Sequence, residues 1–153
     1  MTEGEAGFKA TDPKGKLVLI VDDDESILTL LEILVRRDGF QVATAATGEM
    51  AVEKLSQNPH ALLLDLILPG TLSGLEVLKH LREKGGKAPP VLVITANDNK
   101  HPAVIEASKD PNVVQCLVKP IKQDVLLEAL HRCLKTSAPA QKPAGAIKRP
   151  GGL

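Results

Sequence analysis

Five continuous apolar runs, separated by stretches whose apolar residues recur at helical spacing, constrain this chain more than any other feature. The runs are LVLIV (Leu17 to Val21), QVATA (Gln41 to Ala45), ALLLDL (Ala61 to Leu66), VLVIT (Val91 to Thr95) and VVQCLV (Val113 to Val118). Short runs without polar alternation suit strands buried on both faces. After the first run, Ile27, Leu30, Leu31 and Leu34 share one face of a helix over Ser26 to Arg37. It should stop at Asp38-Gly39, where a glycine suits the left-handed cap. Thr47 can cap a short helix that buries Ala51, Val52 and Leu55 and ends near Asn58-Pro59, and Ser73 another that buries Leu75, Leu78 and Leu81 and ends at Gly85-Gly86. A fourth helix spans roughly His101 to Ser108, and a fifth, from about Gln123 to Lys135, buries Leu126, Leu127, Leu130 and Leu134. Strand and helix alternating in this way imply a parallel sheet, because right-handed crossovers place helices on its faces. The expected fold is a doubly wound α/β domain with five strands, whose ligands bind outside the carboxyl ends of the strands.

With 153 residues the chain holds one such domain, expected over 16–136. Residues 1–15 are polar with one large apolar group, Phe8, and are expected to be disordered; 137–153, rich in Pro, Ala, Gly and Lys, read as a disordered tail or linker. Lysine plus arginine and aspartate plus glutamate stand at 19 each, so no global charge draws the chain to a polyanion. Two phenylalanines, without tryptophan or tyrosine, provide no base-stacking platform. No nucleic acid is therefore expected as a partner. Neither a signal peptide nor an apolar run of membrane-spanning length is present, so no membrane partner and a cytoplasmic location are expected. Cys116 and Cys133 read as buried free thiols in a reducing compartment.

The chemistry gathers just after the apolar runs. The first ends on Asp22, Asp23 and Asp24, the third contains Asp65, the fourth ends on Thr95, and the fifth is followed by Lys119-Pro120. Like charges at the mouth of a buried strand repel one another unless a cation, a proton or a wide spread relieves them. Asp24 can cap the first helix, while two or three carboxylates held close form an oxygen-only site that suits Mg²⁺. One carboxylate could then attack phosphorus, with the Lys119 ammonium and the Thr95 hydroxyl on the remaining phosphoryl oxygens. An aspartate amid leucines, as Asp65 is, needs a partner or a function.

The stretches LIVDDDE, ALLLDLILPGTLSGLEVL, VLVITA and LVKPI, in this order and spacing, resemble the receiver domains of two-component response regulators over about Lys16 to Lys135. The resemblance implies a flavodoxin-like sheet of order 2-1-3-4-5 and a phosphoacceptor, not an enzyme. It implies Asp65 as the residue phosphorylated by a histidine kinase or a histidine phosphotransfer protein. Asp22 and Asp23 become the acidic pair for Mg²⁺, Asp23 direct and Asp22 partly through water, with the Ile67 carbonyl as a further ligand. Thr95 becomes the switch hydroxyl and Lys119 the phosphate-contacting lysine, before a Pro120 whose peptide bond is often cis in the family. Output would pass through helix 4, strand 5 and helix 5 to a downstream protein not identified by the sequence, a surface that could also form a homodimer. The chain departs from the family in three places. PGTLSG, Pro69 to Gly74, is one residue longer than usual. Cys116 replaces the usual aromatic. The segment before the fifth strand lacks Gly-Ala. Ile67 and Asn97 are uncharged, which implies slow self-hydrolysis. Two rival readings remain: a haloacid-dehalogenase-like phosphatase built on Asp22-x-Asp24, and a pseudo-receiver used only for docking. His60, His80, His101 and His131 show no metal spacing and are read as surface residues.

Overall fold

The computed structural model describes residues 12–98 and 100–139. The strands are β1 (Leu17–Val21), β2 (Gln41–Ala45), β3 (Ala61–Leu64), β4 (Val91–Thr95) and β5 (Val113–Val118). The helices between and after them are α1 (Glu25–Arg37), α2 (Gly48–Lys54), α3 (Gly74–Arg82), α4 (Pro102–Ser108) and α5 (Gln123–Leu134). All strand pairs are parallel, in the order β2-β1-β3-β4-β5. This is the doubly wound sheet expected from the alternation.

The expected caps form. Asp24 accepts from the amides of Ser26 and Ile27, Thr47 from that of Met50 and Ser73 from that of Glu76. Each satisfies a helix N–H that has no intrahelical acceptor. At the far end of α1, Gly39 takes the left-handed conformation, φ +102°.

Two apolar layers enclose the sheet. Leu19, Val21, Leu62, Leu64, Val91 and Val93 point to one face and pack under Ala51, Val77, Leu78, Leu81 and Val104 of α2, α3 and α4. Val18, Ile20, Leu63, Leu92 and Ile94 point to the other, under Leu31 and Val35 of α1 and Leu126 and Leu130 of α5. The period-two alternation of strand side chains produces this division, so a central strand must be apolar at every position.

Four expectations need correction. The runs QVATA and VVQCLV are not buried on both faces: β2 and β5 are the edges of the sheet and are only partly covered. The third strand stops at Leu64, so Asp65 follows it instead of lying within it. Within the segment expected to be disordered to residue 15, Asp12 caps a 3-10 turn over Pro13–Gly15: Pro13 is buried, and Gln41 Nε2 donates to the Lys14 carbonyl at 2.8 Å. Of the histidines expected at the surface, His60 is exposed as expected, while His101 and His131 are partly buried and bonded. His60 Nδ1 accepts from the Leu17 amide, and His101 Nδ1 from that of Ala103 at the start of α4. His131, stacked near Phe40, lies within 2.7 Å of both Asp38 Oδ2 and Thr136 Oγ1.

An ion pair ties α3 to the turn before β5. Asp110 is buried, accepts from the Asn112 amide at 2.8 Å, and is met by the half-exposed Arg82 guanidinium. Removing the cation leaves a buried charge short of a partner, which outweighs whatever the pair gained in forming. Arg82→Ala is expected to cost about 1–2 kcal/mol, the exposure of Arg82 keeping the figure low. Urea unfolding of the variant reads it directly, and a loss below a few tenths would show that water replaces the guanidinium.

Candidate functional site at the carboxyl ends of the strands

The strand register brings the charged residues together. Val21 of β1 is paired with Leu64 of β3, so Asp22 and Asp65 emerge side by side. The ladder runs one step further: the Asp22 amide donates to the Ala45 carbonyl at 3.1 Å, and that of Asp65 to Val21 at 3.0 Å. On the far side Thr95 pairs with Val118, and the Lys119 amide donates to the Thr95 carbonyl at 2.8 Å. The peptide bond from Lys119 to Pro120 is cis.

The aspartate triplet divides three ways. Asp22 is 1% exposed; its Oδ1 accepts from the Asp24 amide at 2.9 Å and its Oδ2 from Lys119 Nζ at 2.8 Å. Asp23 is exposed at the rim. Asp24 turns away to cap α1. Asp65, 6% exposed, accepts from the Ile67 amide through Oδ1 at 3.1 Å and from Lys119 Nζ through Oδ2 at 3.2 Å.

Burial raises the Asp65 carboxyl above the usual carboxylate range, and the neighbouring Asp22 charge adds to this; the Ile67 amide and the Lys119 charge oppose it without cancelling it. For Lys119, burial disfavours the charge, but the hydrogen bond to Asp22 and the charges of Asp65 and Asp22 outweigh it and hold the ammonium above its usual range. The lysine is thus a fixed cation between two carboxylates.

Asp22, Asp23 and Asp65 each offer a carboxylate oxygen, and these atoms lie within 4.8 Å of one another. Oxygen-only donors, one of them open to water, fit a small hard cation such as Mg²⁺, which keeps several of its waters. The net charge of the cluster agrees: three acids face one ammonium, which leaves negative charge for a cation to neutralise.

Thr95 is fully buried at the end of β4, and its Oγ1 accepts from the Asn97 amide at 3.2 Å. It is joined to the site through the backbone of Lys119, and no direct bond to the carboxylates forms. Ile67 is tied in by its amide, while the residue as a whole is 53% exposed. Cys116 packs half-buried against the α2–α4 core; burial pushes up both its thiol and that of Cys133, and both cysteines are free. Asp24, the second acid of the haloacid-dehalogenase reading, caps α1 through Oδ1. Nothing in the local sequence marked Glu49, which binds Thr71 in the loop after Asp65, because a first-turn glutamate is ordinary at any helix N-terminus.

Residues 18–131 match the family model described as the response regulator receiver domain. The chain belongs to the receiver domain family of response regulators. It is 42% identical over 91 residues to the alkaline phosphatase synthesis transcriptional regulatory protein PhoP of Bacillus subtilis, covering 59% of this chain and 37% of that protein. It is 37% identical to the transcriptional regulatory protein AfsQ1 of Streptomyces coelicolor, covering 77% of this chain and 51% of that one. Among solved structures, the receiver of a response regulator from Bermanella marisrubri superposes with a TM-score of 0.68 at 33% identity, covering 76% of this chain and 96% of its own. The chemotaxis protein CheY4 of Vibrio cholerae superposes with 0.68 at 29% identity, covering 78% and 98%. The receiver thus spans about half or less of those two regulators.

These relatives overturn one expectation. Charge balance and the lack of stacking residues argued against a nucleic-acid partner, but the relatives are transcriptional regulatory proteins. The physical reason is that the charge and composition of a receiver carry no information about segments that other regulators possess beyond it. Among the described residues no helix is long and apolar enough to cross a membrane.

Proposed function

We propose that this receiver is a phosphoacceptor switch that carries its phosphoryl group on Asp65. The observation that supports it most is the position of Asp65: buried, 3.2 Å from the Lys119 ammonium, in one cluster with Asp22 and Asp23. A carboxylate oxygen of Asp65 attacks phosphorus; the bond from phosphorus to the donor's oxygen or imidazole nitrogen breaks, and the donor group leaves with the electron pair. Asp22, Asp23, Asp65 and the carbonyl of Ile67 would hold Mg²⁺, which when bound offsets the charge of the phosphoryl oxygens. Lys119 moves from pairing two carboxylates to pairing a phosphoryl oxygen. The Thr95 hydroxyl then exchanges the Asn97 amide for the phosphoryl group, and the shift reaches the surface through α4, β5 and α5.

Incubating the protein with Mg²⁺ and acetyl phosphate should add the mass of one phosphoryl group, and Asp65→Asn should abolish the gain. An undiminished gain in Asp65→Asn, or none in the parent protein, sinks the reading.

The same variant tests the electrostatics. A carboxyl raised in the folded state costs nothing below its unfolded pKa and weakens the fold as pH rises through the folded value. Asparagine is neutral throughout, so without metal Asp65→Asn should be more stable than the parent at neutral pH and melt at a higher temperature. The gain should vanish near pH 3.5, below the unfolded carboxylate value of about 3.9. Thermal melts at the two pH values decide it, and equal melting at neutral pH would contradict the strain assigned to Asp65.

A further inference from the structure

The loop from Leu66 to Ser73 leaves Asp65 and leads into α3, and it is pinned at both ends. Near its start, the Gly74 amide donates to the Leu66 carbonyl at 3.0 Å. Near its end it meets the first turn of α2. Glu49 Oε2 accepts from Thr71 Oγ1 at 2.7 Å and from the Thr71 amide at 3.3 Å. Beside it, Gly48 lies so close to Leu72 that a Cβ there would stand 2.2 Å from the Leu72 carbonyl oxygen. Only Ile67 to Gly70 lie between the two pins, and in this stretch Leu68 is buried while the Ile67 amide holds Asp65 Oδ1.

We propose that Glu49 is a positioning residue for the acidic site: by holding Thr71 it fixes the loop that orients Asp65 and Ile67, and so sets the affinity for a divalent cation. The inference rests on the reading of Asp22, Asp23, Asp65 and Ile67 as the metal-holding set. The path is short and has little slack, since Leu68 anchors its middle and backbone contacts close both ends. The Thr71 hydroxyl in first place, with the backbone amides of Glu49, Thr71 and Leu72, keeps the Glu49 carboxyl below its usual range against a small opposing effect of burial. The glutamate is therefore ionised, an acceptor-only partner, at neutral pH. As an exposed contact it contributes little to global stability. Its effect should be local.

The test uses the full chain. Mg²⁺ binding is measured by isothermal titration calorimetry, and amide hydrogen exchange across 66–73 by mass spectrometry, for Glu49→Ala, Thr71→Val, Thr71→Ser and the double Glu49→Ala/Thr71→Val. Partners one shell outside a metal site usually change affinity by about 10- to 100-fold; at this greater remove each single removal should weaken Mg²⁺ about five-fold and quicken exchange in the loop. The double variant should be no worse than either single one, Thr71→Ser should restore wild-type affinity, and Tm should hardly move. Unchanged Mg²⁺ affinity in Glu49→Ala overturns the proposal even if exchange quickens, since the contact would then be structural only. Additive losses in the double variant overturn it too. If the parent protein takes no Mg²⁺, the metal reading itself has failed; if it takes Mg²⁺ and Glu49→Ala matches it, only the positioning role has.

Discussion

Lys119→Met is expected to lose about 3 kcal/mol of stability in metal-free buffer at neutral pH, and to regain most of it when Mg²⁺ is added. Lys119 Nζ is the cation between Asp22 Oδ2 and Asp65 Oδ2, at 2.8 and 3.2 Å, and both carboxylates are buried. Methionine preserves much of the side chain's volume but leaves two like charges side by side without a counterion. Removing one partner of a buried pair costs more than the pair itself contributed, because the desolvated charge stays behind. The pH dependence follows from the directions of the two shifts. Lys119 is held above its usual value, so the stability it contributes is complete at neutral pH and is lost only as pH rises through the raised ammonium value. In the variant Asp65 keeps the burial and the Asp22 charge that push its carboxyl up, and loses the lysine charge that opposed them. Its raised carboxyl penalises the fold above that pKa, so the deficit should shrink as the solution is acidified and Asp65 takes up a proton. A metal that binds only the folded state adds about 2.7 kcal/mol at a hundred times its dissociation constant. Urea titrations at neutral and acidic pH, with and without Mg²⁺, report every arm. A loss that neither acid nor metal relieves would mean that packing, not charge, was removed.

The second large effect belongs to a residue with no side chain. Gly74→Ala should destabilise the protein by about 3 kcal/mol or more and weaken metal binding with it. A Cβ at position 74 would lie 2.5 Å from Leu66 Cα, 2.6 Å from the Asp65 carbonyl oxygen and 2.9 Å from that of Leu66. All three are backbone atoms, so no side chain can rotate away. Either α3 withdraws from the end of β3 or the peptide after Asp65 moves, and both disturb the hydrogen bond from Gly74 to Leu66 that closes the loop. Gly86→Ala is the matched control, since its Cβ would meet nothing within 4 Å. Chemical denaturation of the two variants should separate them widely. Similar stabilities would show that the approach of α3 to β3 is loose.

The fold was legible because its signals are local. An apolar run or a heptad-like spacing depends on neighbours a few positions away, and a capping residue such as Asp24, Thr47 or Ser73 acts within its own turn. The strand ends named the site for the same reason: in a parallel sheet every carboxyl end lies on one rim, so Asp22, Asp65, Thr95 and Lys119 had to be neighbours once the alternation was recognised. Edge and centre were less legible. QVATA carries Gln41 and Thr44 where LVLIV is wholly apolar, but being at an edge depends on strand order, which periodicity does not encode. His131 was misread because its partner, Asp38, lies 93 positions away along the chain.

Residue order alone specified the alternation of strand and helix, the caps, and the rim on which acids, hydroxyl and lysine would gather. Tertiary structure decided that Asp22 enters a buried ion pair while Asp23 stays at the open rim. It also decided that Arg82 should meet Asp110 and Glu49 should meet Thr71. The reason lies in distance along the chain. Periodicity is a property of neighbours, whereas the Asp22–Lys119 pair joins residues 97 positions apart, and such a contact exists only after every intervening element has been packed.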